Sequence, residues 1–238
     1  MGCDIHLYVE KRVDGKWIPA DKWTKSEYEN EGNPLTVEYN ARFYSGRNYD
    51  LFAVLADVRN GYGFAGVDTG DGFKPIRKPK GLPKDASREV RAESESWGID
   101  GHSHSWFTVA ELLAYDWTQM TTKRGWINGP MFFHWCGWRR DHGEGPESYS
   151  GGISGQGIEH LAVEEMEKRI EAIKTLTHTS APGVAAAKVE QELGRCYTQV
   201  AWKAMYSSRC GAFWSDTIPR LLRLGKPKDV RIVFWFDN

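Results

Sequence analysis

The sequence predicts an α+β fold, and three observations carry that reading. The first strand-like segment, residues 4–13, alternates Asp4, His6, Tyr8 and Glu10 with Ile5, Leu7 and Val9, the period of a half-buried strand. The last, VRIVFWFDN, is dense in β-formers, and helical periodicity fills much of residues 160–224 between them. The expectation is one domain over residues 1–238, built on a mixed sheet that includes both terminal strands, with helices packed mainly on one face.

The elements follow in order. Asp14-Gly15 is a strong hairpin signal, so residues 4–22 read as two paired strands, the second beginning at Trp17-Ile18. Residues 24–46 are polar and turn-rich and read as an excursion. Asn48 or Asp50 caps a helix over 50–58, with Leu51, Val54, Leu55 and Val58 on one stripe. Residues 61–98 are rich in Gly, Pro and charge and read as a long loop, a feature usually tied to function or mobility. Thr108-Val-Ala-Glu111 is a capping box opening a short helix. Residues 125–157 are aromatic- and Gly-rich. Helical periodicity then runs through LAVEEMEKRIEAIKTL, AAAKVEQELGRCYTQVAWKAMY and WSDTIPRLLRL, with Pro219 in the first turn of the last.

Composition narrows the function classes. With Lys+Arg 31 against Asp+Glu 32 in 238 residues, no global field favours duplex nucleic acid or an anionic membrane. No stretch approaches the roughly 18 consecutive apolar residues of a spanning helix. Asp4 and His6 stand where a signal peptide needs an apolar core, and His6 occupies the position where myristoylation calls for Ser or Thr. Four cysteines without a CxxC pair suit reduced thiols, so a cytoplasmic location is expected. Eleven Trp is an unusual number for this length, and raises the case for a ring-binding site beside the commoner role of core filling.

Several constellations are candidates for chemistry. Asp4 and His6 share one strand face. His102 and His104, in DGHSHSW, offer a second same-face pair if the segment is extended. Together the four form a ligand set compatible with zinc or iron carrying an open position. The turn before the capping-box helix also offers backbone N–H groups to a phosphate, with His102, His104 and Trp106 at hand. Arg47 and Arg59 bracket the helix over 50–58 and suit bidentate phosphate contacts. Arg124, Arg139 and Arg140 lie among Trp126, Trp135 and Trp138. The Glu147–Gly152 loop brings Tyr149 and Ser150 near any ligand its Gly backbone approaches. On the last strand Arg231, Val233, Trp235 and Asp237 share a face, and pairing with the first strand sets Trp235 and Asp237 beside Asp4 and His6.

The segments MGCDIHLYVE, DGHSHSWFTVAELLAYDW, PESYSGG and VRIVFWFDN together resemble a family of tailed-phage and prophage proteins, nearly end to end. The resemblance implies a setting rather than a chemistry: an accessory protein in the cytoplasm of a bacterial host, of the kind that blunts host defence. Three functions follow as expectations. The first is binding of a small phosphate-bearing nucleotide, such as a defence signal, through Arg47, Arg59, His102, His104, Trp106, Tyr149, Ser150 and Trp235. The second is a hydrolase whose divalent metal on Asp4, His6, His102 and His104 activates water against a phosphodiester or related bond. The third is a protein partner anchored by exposed Trp.

Overall fold

A computed structural model describes residues 2–25, 35–178 and 183–237. In chain order its strands are β1 (Ile5–Val13), β2 (Lys16–Pro19), β3 (Trp23–Lys25), β4 (Leu35–Val37), β5 (His102–Thr108), β6 (Met120–Asn128), β7 (Glu159–Leu161), β8 (Cys196–Met205) and β9 (Val230–Phe236). The helices are α1 (Tyr49–Ala56), α2 (Arg88–Ser96), α3 (Val109–Ala114), α4 (Gly129–His134), α5 (Val163–Thr177), α6 (Val184–Leu193), α7 (Tyr206–Arg209) and α8 (Ile218–Leu222). They fall into two compact units: Met1–Asn60 with Phe73–Gln119 and Tyr206–Asn238, and Gly61–Gly72 with Met120–Met205.

The first unit is built on a sheet of order β2-β1-β9-β5. The terminal strands pair as expected, His6 opposite Trp235 and Glu10 opposite Arg231. Every pairing in this sheet is antiparallel. Asp14 and Gly15 join β1 to β2 with φ of 49° and 79°, the left-handed geometry a two-residue hairpin needs. β9 lies between two strands and is buried along its whole length, as its near-continuous apolar run requires.

The two faces of the sheet are covered unequally. Leu7, Phe107, Ile232 and Phe234 pack with α1, α3 and α8 in the largest core, so most helices of this unit lie on one face. Tyr8, Val233 and Trp235 point the other way, toward Val90 of α2 and the Trp97 that follows it. Asn48 caps α1 through its side-chain oxygen, the capping box at Thr108 and Glu111 is complete, and Pro219 sits in the first turn of α8. Helix α2 was not expected inside residues 61–98. Its residues, REVRAESES, are almost all polar, and only Val90 and Ser94 are buried.

The second unit carries the mixed sheet, order β6-β8-β7, with the β7–β8 pair parallel. Helices α5 and α6 pack here, through Met166, Ile170, Val189 and Leu193, so the helical block of 160–224 divides between the units. The expected helix through CYTQVAWKAMY is instead strand β8, followed at Tyr206 by the single turn α7. Gly194 ends α6, and from there Cys196, Thr198, Val200, Trp202 and Ala204 are buried while the residues between them are exposed or half-exposed. Strand β6 likewise alternates through the first part of the Gly- and aromatic-rich region. Among the described residues no helix is long and apolar enough to cross a membrane.

Candidate functional site

Pairing of β1 with β9 assembles the strand-end cluster that the sequence indicated. Asp237 accepts the Asp4 backbone N–H through Oδ1 at 2.8 Å and holds His6 Nε2 through Oδ2 at 3.1 Å. His6 is buried between Trp97 and Trp235, with ring centroids at 3.9 and 5.9 Å. Burial pulls this imidazole below its ordinary range by more than Asp237 lifts it. Arg47 donates from Nε to Asp4 Oδ1 at 2.6 Å and closes a second bond to Oδ2, which holds the Asp4 carboxyl below the usual range. Arg59 lies over the Tyr49 ring at 5.8 Å and interacts with the Cys3 thiol. These residues tie the strand end together, and each carboxylate is already engaged.

The two histidines of β5 do not share a face. Between His102 and Ser105 the register against β9 slips by one residue, and Ser103 takes φ of 53°. Such a bulge turns one side chain out of the alternation. His102 packs 6.0 Å from Phe236, whereas His104 stacks 5.5 Å from Trp235, the neighbouring residue that points to the opposite face. Asp4, His6, His102 and His104 therefore do not converge. Among the described residues no three His, Cys, Asp or Glu side chains are grouped to hold a metal ion. The phosphate-binding turn is also absent from residues 100–106. That segment is mostly strand, and at α3 the Thr108 side chain and Glu111 already take up the capping bonds.

Tyr149 and Ser150 belong to the second unit. Ser150 exchanges backbone bonds with Trp126 along β6, and Tyr149 lies edge-on to Trp202 at 4.8 Å. Arg124 pairs with Asp68 and Asp71, Arg139 with Glu144, and Arg140 with Glu167, so these three cations are used within that unit.

The site with the most chemistry left to spend lies farther along the sheet face that carries His6. The alternation continues through Tyr8 and Glu10 to Arg12, and β9 brings Arg231 opposite Glu10. Here a cleft of about 760 Å³ opens between Trp17 of β2 and Trp106 of β5. Arg231, 1% exposed, forms its floor. Its Nε donates to buried Glu10 at 2.7 Å, and its terminal nitrogens donate to Asp85 Oδ1 and the Asp85 carbonyl. Glu10 also accepts the Ser87 N–H at the start of α2, which anchors the segment walling the cleft.

Aromatic faces hold the cations in place. The Arg231 guanidinium lies 4.1 Å from the Trp17 ring centroid, with Arg12 at 4.6 Å from the same ring. Lys80 Nζ is 3.4 Å from the Trp106 ring. Of the charged residues lining the cleft, Arg12, Lys80, Lys84 and Arg231 are cationic, against Asp85 and Glu111. Arg12 is also 3.8 Å from Asp229, Lys80 3.5 Å from Glu111, and Arg231 is paired with Glu10 and Asp85, so an anion entering the cleft meets these cations through the N–H groups that their rings and carboxylates leave over.

Of the expected ligand residues only Trp106 lines this cleft. Trp17, Arg12 and Lys80 belong to no chemical motif, yet each has a local signal in the sequence. Arg12 and Trp17 are cross-strand partners of the Asp14-Gly15 hairpin, and Lys80 sits in the basic run KPIRKPKGLPKD. Neither a protein-family model, nor a curated protein, nor a solved structure matches this chain.

Proposed function

We propose that this protein binds a small phosphate-bearing ligand, a nucleotide, in the cleft between Trp17 and Trp106. The observation that carries the proposal is the set of four cations, three of them seated on indole faces, around an opening of about 760 Å³. That volume suits a small-molecule site, where roughly 300–1,000 Å³ is usual. Arg12 and Lys84 supply charge at the rim, and buried Arg231 fixes the floor. A base entering the cleft exchanges the Lys80 ammonium for its own π-face on Trp106, a contact worth about 1–3 kcal/mol in nucleic-acid sites. The displaced ammonium turns to the phosphate. In the phage setting that the resemblance implies, such binding withdraws a nucleotide signal of host defence in the bacterial cytoplasm.

The test is calorimetry of the folded protein against linear and cyclic nucleotides, with Trp106→Ala as the control. Micromolar binding that the variant loses supports the proposal. No binding by the wild type, or equal binding by Trp106→Ala, ends it. Chromatography of the released ligand decides whether it is held or hydrolysed.

A further inference from the structure

Building on the reading of the cleft as an anion site, we propose that Lys80 is a carbonyl-reactive amine. The compound it takes up is a phosphate-bearing aldehyde or ketone, held as a Schiff base on Nζ. The position of Lys80 carries this. Its backbone is pinned beside β5, because the Gly81 N–H donates to the His104 carbonyl at 2.8 Å. Its side chain, 21% exposed, then runs across the Trp106 ring and ends 3.5 Å from Glu111 Oε1. Nζ thus faces the cleft from a fixed place, with Arg12, Lys84 and Arg231 around the same opening to hold an anionic group.

The surroundings also ease the loss of the ammonium proton relative to an exposed lysine. Burial is the largest effect and disfavours the charged form. Arg77 and Arg231 add positive charge nearby. Glu111 opposes them, but its Oε1 is shared with Arg77 at 3.1 Å and its Oε2 is taken by Thr108. The net direction is downward from the ordinary lysine value. A lysine so placed is the usual form of an amine nucleophile.

The step balances without a further reagent. Lys80 loses a proton to solvent, and the Nζ lone pair attacks the carbonyl carbon. The C=O π pair moves to oxygen, and one proton passes from the nitrogen to that oxygen to give a neutral carbinolamine. Nitrogen then expels the hydroxyl as water with uptake of a proton. The ammonium and the carbonyl compound become a protonated imine and one water, with charge unchanged.

The test treats the whole protein at neutral pH with substoichiometric pyridoxal 5′-phosphate, and in parallel with pyridoxal, which lacks the phosphate. Borohydride fixes any imine, and peptide mass spectrometry locates it. A lysine whose pKa lies below the ordinary value holds a larger free-amine fraction at neutral pH, so labelling at Lys80 is expected to outpace labelling at exposed Lys16 or Lys78. Lys80→Arg keeps the charge and the contact with Trp106, and it should remove that adduct while circular dichroism stays unchanged. Selective labelling of Lys80 by the phosphate-bearing aldehyde alone supports both the amine and the anion site. Equal selective labelling by both aldehydes keeps the amine and overturns the anion site. Label spread evenly over exposed lysines, or undiminished in Lys80→Arg, overturns the reactive amine and leaves nucleotide binding to its own calorimetric test.

Discussion

Glu10 and Arg231 face each other across the β1–β9 pair and form an ion pair 2.7 Å long with both side chains sealed from solvent. Such a pair adds little net stability over apolar replacements, yet breaking it is expensive because one charge stays buried. Glu10→Gln keeps an acceptor for the Ser87 N–H but leaves Arg231 with Asp85, which is largely exposed. The expected loss in urea denaturation is about 3 kcal/mol. The double variant Glu10→Leu, Arg231→Met should recover most of that stability and still fail to bind ligand. Such a result would separate the role of the pair in the cleft from its role in the fold.

Two sets of residues compete as the ligand site, and substitution distinguishes them. Arg12→Gln and Lys80→Gln should each weaken nucleotide binding about tenfold, the effect of losing one charge-assisted contact of ~1.4 kcal/mol. Arg47→Ala and His104→Ala should leave affinity unchanged, since Arg47 is committed to Asp4 and His104 to the Trp235 face. Raising salt should weaken binding in the wild type and less so in Arg12→Gln. The reverse ranking in calorimetry would return the site to the strand end.

In the second unit, Gly70 holds a φ of 136° and forms a bridge with Lys123 of β6. A Cβ there would fall on the Thr122 carbonyl oxygen, which accepts the Asp71 N–H at 2.9 Å. Alanine fits neither the torsion nor the space. Gly70→Ala should detach the Gly61–Gly72 segment from β6. Amide exchange at Asp71 and Arg124 should then speed up, while the amides of the β6–β8 ladder stay protected. Unchanged exchange at both amides would mean that the backbone absorbs the methyl group.

The parts of this fold that could be read from the sequence are those whose signal is local. Asp14-Gly15 dictates its own turn, Thr108 and Glu111 cap each other, and the apolar run of β9 announces a central strand. Given the pairing of the two terminal strands, the shared face of the last strand sets Trp235 and Asp237 beside His6. What failed depends on context. CYTQVAWKAM continues the helical periodicity before it, and Ala, Gln, Lys and Met do not oppose helix, yet tertiary pairing with β6 makes it a strand. The bulge that parts His102 from His104 leaves no mark in DGHSHSW. The cleft is not legible in the sequence because its residues come from β1, β2, β5, α3, β9 and the Lys80–Asp85 segment, which no motif joins.

Asp21 should give the protein an unusual dependence of stability on pH. Its side chain is buried, with Oδ2 accepting the Val9 N–H at 2.5 Å, while Oδ1 has no partner among the described residues. Burial pushes its carboxyl up to about 7, against an ordinary 3.8. Between those values the folded state holds a proton that the unfolded state has released. Stability therefore falls as pH rises from 3.8 to about 7, and levels off above. His6 acts in the opposite sense. Its folded pKa lies below the ordinary 6.5, so the unfolded state binds the extra proton and stability rises as pH approaches 6.5 from below. The two slopes partly cancel in the wild type. Asp21→Asn keeps an oxygen for Val9 and removes the falling slope. Urea midpoints at pH 5, 6, 7 and 8 should show the variant gaining on the wild type as pH rises, by a few kcal/mol at pH 8. If the difference between the two proteins is the same at pH 5 as at pH 8, Asp21 titrates like an exposed carboxylate and its burial does not govern the response.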